Sequence, residues 1–152
     1  MHKVPLQLDG YVFTKLLVEA NSDYNPEKQQ DTTESEIDFS LGIVVGKDKD
    51  NPRLYQIEIH IENLRAKTTI LPYTIEAKVV GVFSVDPDFK HDDLERLIQV
   101  NGASMLFGAA REQILTISGR GPFGPLKLPT INLLGAIADK LSETPTATID
   151  SK

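Results

Sequence analysis

The first half of this chain is patterned in twos and the second half in threes and fours. Between Ser35 and Val45, Ile37, Phe39, Leu41 and Ile43 fall on one side and Glu36, Asp38 and Ser40 on the other. Arg53 to Lys67 alternates more strictly, with Ile57, Ile59 and Ile61 opposed by Glu58, His60 and Glu62. Successive side chains leave a strand on opposite faces, so this alternation predicts half-buried strands. Two further stretches are rich in β-branched and aromatic residues: Val4 to Glu19, with a bend or bulge expected at Gly10, and Thr74 to Val85, stopped by Asp86-Pro87. NSDYNPEKQQDTTES from Asn21 reads as a solvated loop and GKDKDNP from Gly46 as a turn, while Leu71-Pro72 separates the third strand from the fourth. Four strands with short polar connections predict an antiparallel sheet with one buried face.

From Asp92 the spacing becomes helical. Asp92 or Asp93 is placed to cap a helix carrying Leu94, Leu97 and Ile98, with Asn101 and Gly102 expected to interrupt it. A longer helix is expected from about Ala103 to Ser118, ended by Gly119. Thr130 is placed to cap a last helix with Leu133, Leu134, Ile137, Ala138 and Leu141 on its apolar side. The residues from about 143 to 152 read as a flexible polar tail. Strands first and helices last predict one α+β domain over residues 1–152, its C-terminal helices packed on one face of the sheet.

Two segments do not fit a simple helix-on-sheet domain. The helix around residues 102–117 is apolar nearly all round and rich in small residues. That pattern points to a subunit interface formed by Ala103, Met105, Leu106, Ala109, Ala110 and Ile114, the plainer alternative being an ordinary core helix. The segment after it, RGPFGPLKLPTIN from Arg120, is a Pro/Gly loop carrying Phe123, Leu126, Leu128 and Ile131. Loops are ordinarily polar, so this one requires a cover: its own protein, another subunit or a client.

Composition narrows the function classes. A length of 152 residues is enough for one domain with a real core. The net charge of −6 argues against nucleic acid as partner, since phosphate binding needs a clustered basic patch. The absence of cysteine removes disulfides, thiolate nucleophiles and Cys-based zinc sites, and fits a reducing compartment. No apolar run approaches the ~20 residues of a membrane span, and MHKVPLQLDG lacks the apolar core of a signal peptide, so a cytoplasmic protein without membrane insertion is expected.

Catalytic chemistry finds no constellation. His2, His60 and His91 share no metal-ligand spacing. His60 lies beside Glu58 and Glu62 on one strand face, where an ion site competes with the commoner reading of a solvated polar face. Arg111-Glu112 suits a structural ion pair better than a catalytic one. The Walker pattern, strand–GxGxxG–helix and GxSxG are all absent. Neither an enzyme nor a cofactor is expected.

MLFGAARE at 105–112 and RGPFGPLKLPTIN at 120–132 resemble the signature of the SecB protein-export chaperone family, an LF-x-x-ARE helix followed by RG-x-F-P-x-L-x-L-x-P-[IV]-N. The spacing between the blocks also agrees. FTKLLVEAN at 13–21 resembles the family's YTK…FEAPN, and GVFSV at 81–85 resembles GIFSI. The chain departs from the family at Ala103 (usually Cys-Pro here), at Gly108-Ala109 (usually Pro-Tyr), at Leu133 (usually Phe) and at Leu16 (usually acidic). It resembles a divergent member.

The resemblance implies a homotetramer, a dimer of dimers, whose apolar grooves hold unfolded precursor polypeptides without ATP. It places Ile37, Phe39, Leu41, Phe123, Leu126, Leu128, Leu133 and Ile137 in the groove. Glu19 and Glu76 match acidic positions that the family uses to dock the SecA translocation ATPase, with Leu16 replacing a further acid. A chaperone dedicated to one client such as an antitoxin, and a small-molecule or lipid carrier using the same cleft, are the alternatives.

Overall fold

The computed structural model describes residues 5–27, 39–63, 71–90, 92–133 and 135. Four antiparallel strands, β1 (Leu6–Ala20), β2 (Ser40–Lys47), β3 (Leu54–Glu62) and β4 (Tyr73–Val85), form one sheet in the order β1-β4-β3-β2. The last three make a meander, and β1 closes against β4, so β1 and β2 are the two edges.

The central strands keep the expected alternation. Ile57, Ile59 and Ile61 of β3 sit directly beside Gly81, Val79 and Ala77 of β4, all facing one way and all buried. Val45, Ile43 and Leu41 extend these rows onto β2 and are half-buried there. Lys47 belongs to β2 rather than to the following turn, and its ammonium lies 5.9 Å from the Tyr55 ring centre.

Strand β1 resists simple alternation because its register slips twice against β4, between Leu8 and Gly10 as expected and again between Phe13 and Lys15. Each slip inserts one residue and resets the pleat. The side facing the core therefore runs Leu6, Leu8, Tyr11, Phe13, Leu16, Val18. The second bulge turns Leu16, which stands where the family has an acid, inward, opposite Ala77, to pack on the core.

The expected break at Asn101-Gly102 does not occur. One helix, α1, runs unbroken over Leu94–Ser118. Its buried positions, Ile98, Gly102, Ala103, Leu106, Phe107, Ala110, Ile114 and Ser118, form a stripe along the sheet. Gly102 serves a close approach, since a Cβ there would collide with Ile57 Cδ1. Gly81 does the same from the sheet side, where a Cβ would stand 2.7 Å from Leu106 Cδ2. At each of these contacts one element lacks a side chain and the other's side chain fills the space.

Asp93 sits at the N-cap without a side-chain capping bond, its carbonyl accepting the Leu97 amide at 3.0 Å. Past Gly119 the chain tightens, Arg120 N–H donating to Ile117 O and Gly121 N–H to Ser118 O. Most of the expected last helix lies outside the described residues, but Leu133 and Gly135 are helical, and the residue that bonds to this turn from the N-terminal side is Asn132 rather than Thr130. Its Oδ1 accepts the Gly135 amide at 3.2 Å, three residues on, as an N-cap side chain does. The tail at 143–152, and His2 and His91, lie outside the described residues.

Candidate functional site

The Pro/Gly loop is held by two side chains on the elements beneath it. Tyr73, the first residue of β4, is 2% exposed. Its hydroxyl lies 2.8 Å from the Gly124 carbonyl and 3.1 Å from the Ser118 carbonyl, sharing its proton between them, and accepts the Phe123 amide at 3.0 Å. Ser118 donates to the Ile114 carbonyl at 2.6 Å and accepts the Leu126 amide at 2.7 Å. Asn63 braces the strand side, donating to Tyr73 O and accepting the Ile75 amide. A buried loop backbone must find such partners or forfeit ~1–3 kcal/mol per orphaned group. Gly124, at φ 76, takes a conformation that suits glycine. None of Tyr73, Ser118 and Asn63 stood out in the sequence; a tyrosine opening a buried strand just after a proline was the available signal.

So anchored, the loop delivers its leucines into the core. Leu126, Leu128 and Leu133 are buried among the chain's own side chains, which corrects their assignment to an open groove wall. Phe123 stays half-buried, its ring edge-on to Tyr73 at 5.9 Å and to Tyr24 at 4.8 Å. Tyr24 belongs to the segment read as a solvated loop, yet it is half-buried on this contact.

A second half-buried set lies on the helix side of the β2 edge. Phe39 stacks on Phe107 of α1, centroids 5.9 Å apart and planes at 22°. Phe39, Leu41, Ile43 and Val45 pack against the core from its margin. Phe39 precedes Ser40, which aligns through Glu62 with Glu76, and Tyr73 is three residues before Glu76. The Phe39 and Phe123 clusters thus lie toward the same end of the sheet. Ile37 and Ile137 lie outside the described residues.

The helix positions divide by face. Ala103, Leu106, Ala110 and Ile114 are each 0% exposed and packed on the chain's own sheet, so they are not open to a second subunit. The expected interface misplaced them because sequence alone could not tell which side of an all-apolar helix the sheet would take. Met105 and Ala109 face away from the sheet with Ser104, Gly108 and Glu112.

On the outer face of the sheet, Glu76 is half-buried and Glu19 is exposed near the neighbouring strand's end. Glu76 is not a free carboxylate: Lys15 Nζ lies 2.6 Å from Oε2 and His60 Nε2 3.0 Å from Oε1. These hydrogen bonds, from Lys15 first and His60 second, hold its carboxyl below the ordinary value of 4.5. Glu62, directly opposite Glu76, adds a contact to His60 at 3.5 Å. The partner that His60 finds across the sheet is Glu76, which strand alternation could not reveal. Lys15 already supplies the cluster with a cation.

A four-stranded antiparallel sheet, one long helix laid across it and an apolar Pro/Gly loop returning over the end of that helix make the described residues a small α+β domain. The family model described as "Preprotein translocase subunit SecB" matches residues 13–143, and the chain belongs to the SecB family. A curated relative, the protein-export protein SecB of Anaplasma phagocytophilum (strain HZ), is 30% identical over 93 residues, which span 59% of this chain and 58% of that protein. The fold is shared with the Mycobacterium tuberculosis SecB-like chaperone Rv1957, solved in complex with a ChAD peptide from the HigA1 antitoxin Rv1956. The TM-score is 0.57 at 15% identity, over 84% of this chain and 91% of that one. Among the described residues, no helix is long and apolar enough to cross a membrane.

Proposed function

We propose that this protein is an ATP-independent holdase that covers apolar segments of unfolded polypeptides and keeps them competent for export. The observation that carries this reading is a pair of half-buried rings, Phe39 on buried Phe107 and Phe123 on buried Tyr73, at one end of the sheet. They offer ring faces and edges to an aromatic or aliphatic side chain while the structure beneath them is fixed. Each anchored Leu or Phe gains ~1.5–3 kcal/mol gross, much of it lost in ordering the client. Weak sites repeated over a tetramer restore avidity without demanding one sequence. In that assembly the outward face of α1, with Met105, Gly108 and Ala109, meets a second subunit.

Suppression of aggregation of a refolding, unrelated precursor tests the reading. The wild type is expected to suppress it at equimolar tetramer, and Phe39→Ala with Phe123→Ala to lose most of the effect with unchanged circular dichroism. No suppression by the wild type refutes general holding. The similarity to a chaperone solved with an antitoxin peptide supports a second reading, a chaperone dedicated to one such client. It predicts tight binding to one partner and none to the unrelated precursor. Handover to SecA in the cytoplasm completes the export reading. The engagement of Glu76 by Lys15 and His60 leaves Glu19 as the freer docking acid.

A further inference from the structure

We propose that Tyr24 is a built-in occupant of an aromatic notch on Phe123, displaced when an aromatic side chain of a bound polypeptide takes its place. The inference rests on the polypeptide-holding reading above and adds to it a self-ligand and a side-chain class.

Phe123 has two ring neighbours of unlike character. Tyr73 is fixed: it is buried, and its hydroxyl is tied to Ser118 O, Gly124 O and Phe123 N. Tyr24 meets the same ring in a similar edge-on manner, 4.8 Å at 71° against 5.9 Å at 65° for Tyr73. Its segment, however, is held by local bonds: Tyr24 N–H to Asn21 O, Asp23 N–H to Asn21 Oδ1 and Glu27 N–H to Asn25 Oδ1. Among the described residues, the longer tie is Asn21 N–H to Pro72 O, at the start of the segment. Apart from Asn21 and Tyr24, every residue from Ser22 to Glu27 is exposed. Among the described residues, lifting Tyr24 therefore breaks this ring contact and otherwise only bonds local to its own turn.

Edge-on aromatic pairing depends on the ring's quadrupole, so a phenylalanine, tyrosine or tryptophan from another chain reproduces it. Tyr24 has the chemistry of the ligand it excludes. An occupant that holds the notch for part of the time lowers apparent affinity in proportion to the fraction of time the notch is free.

Two measurements on the full chain test this. The first is binding of dye-labelled, carboxymethylated α-lactalbumin, a permanently unfolded polypeptide, by fluorescence anisotropy. Tyr24→Ala is expected to tighten binding by roughly 2- to 10-fold, the range set by losing one competing aromatic pair. Tyr24→Phe should bind as the wild type does. Affinity unchanged or weakened in Tyr24→Ala, with circular dichroism intact, overturns the proposal by making Tyr24 a spectator or a wall of the site. The second is ¹⁹F NMR of protein carrying 3-fluorotyrosine, with the Tyr24 signal assigned through Tyr24→Phe. Phe123→Ala, and separately titration of the wild type with N-acetyl-tryptophanamide, should each move that signal to a solvent-exposed position. A signal indifferent to both overturns the proposal. A wild type that never binds the unfolded polypeptide refutes the holding reading, and the NMR arm still decides whether Tyr24 is an exchangeable occupant.

Discussion

Gly121 and Tyr73 are in such close contact that a methyl group on Gly121 would stand 2.5 Å from the tyrosine hydroxyl oxygen. That hydroxyl cannot swing aside freely, since it serves two loop carbonyls and the Phe123 amide. Gly121→Ala is therefore expected to destabilise the protein by ~1–3 kcal/mol through overpacking. Tyr73→Phe keeps the ring and removes the hub, orphaning the Phe123 amide, at a similar ~1–3 kcal/mol. Urea denaturation followed by far-UV circular dichroism checks both. A midpoint equal to the wild type's for Tyr73→Phe would mean that the loop does not depend on this hydroxyl.

Gly102 separates two accounts of the helix. As a simple helix interruption, Gly102→Ala would stabilise by ~1 kcal/mol through better helix propensity. As a contact point with Ile57, the same change introduces a clash and is expected to lower stability by ~1–3 kcal/mol. The sign of the change in urea midpoint decides between them.

Ser118 is buried, and its hydroxyl joins the end of the helix to the returning loop. Ser118→Ala leaves the Leu126 amide without an acceptor and is expected to cost ~1–3 kcal/mol. Hydrogen exchange should show the loss first at Leu126, whose amide would exchange faster in the variant than in the wild type.

Glu76 predicts an acid-side dependence. Its carboxyl is held below the ordinary value of 4.5 in the folded protein, by Lys15 first and His60 second. A depressed carboxylate stabilises the fold above its unfolded value, and that contribution fades as pH falls through the lower folded value. Thermal melts are therefore expected to fall off more steeply below about pH 4.5 in the wild type than in Glu76→Gln. Lys15→Ala should move the wild-type drop toward higher pH. Parallel melting curves for wild type and Glu76→Gln across the acid range would exclude this linkage.

Strand alternation from Leu54 to Glu62 was readable because a strand presents every second residue to the same side, so Ile57, Ile59 and Ile61 could have only one common face. The run RGPFGPLKLPTIN carried the family because its Pro, Gly and Leu positions follow no helical or strand period. Bulges in β1 escaped in part, since the register that turns Leu16 inward depends on β4 lying alongside. The groove assignment of Leu126, Leu128 and Leu133 went wrong for the same kind of reason. An apolar residue in a loop announces only that it needs cover, and here the cover is the chain's own core.

Local periodicity and spacing thus settled the kinds of element, their order and the family, because each depends on residues near one another in the chain. Which face of an all-apolar helix meets the sheet, which of two rings on Phe123 is fixed, and which carboxylate His60 finds were decided in three dimensions. Those outcomes depend on pairs such as Gly102 with Ile57, Phe123 with Tyr24 and His60 with Glu76, brought together only when the sheet closes and the helix settles on it.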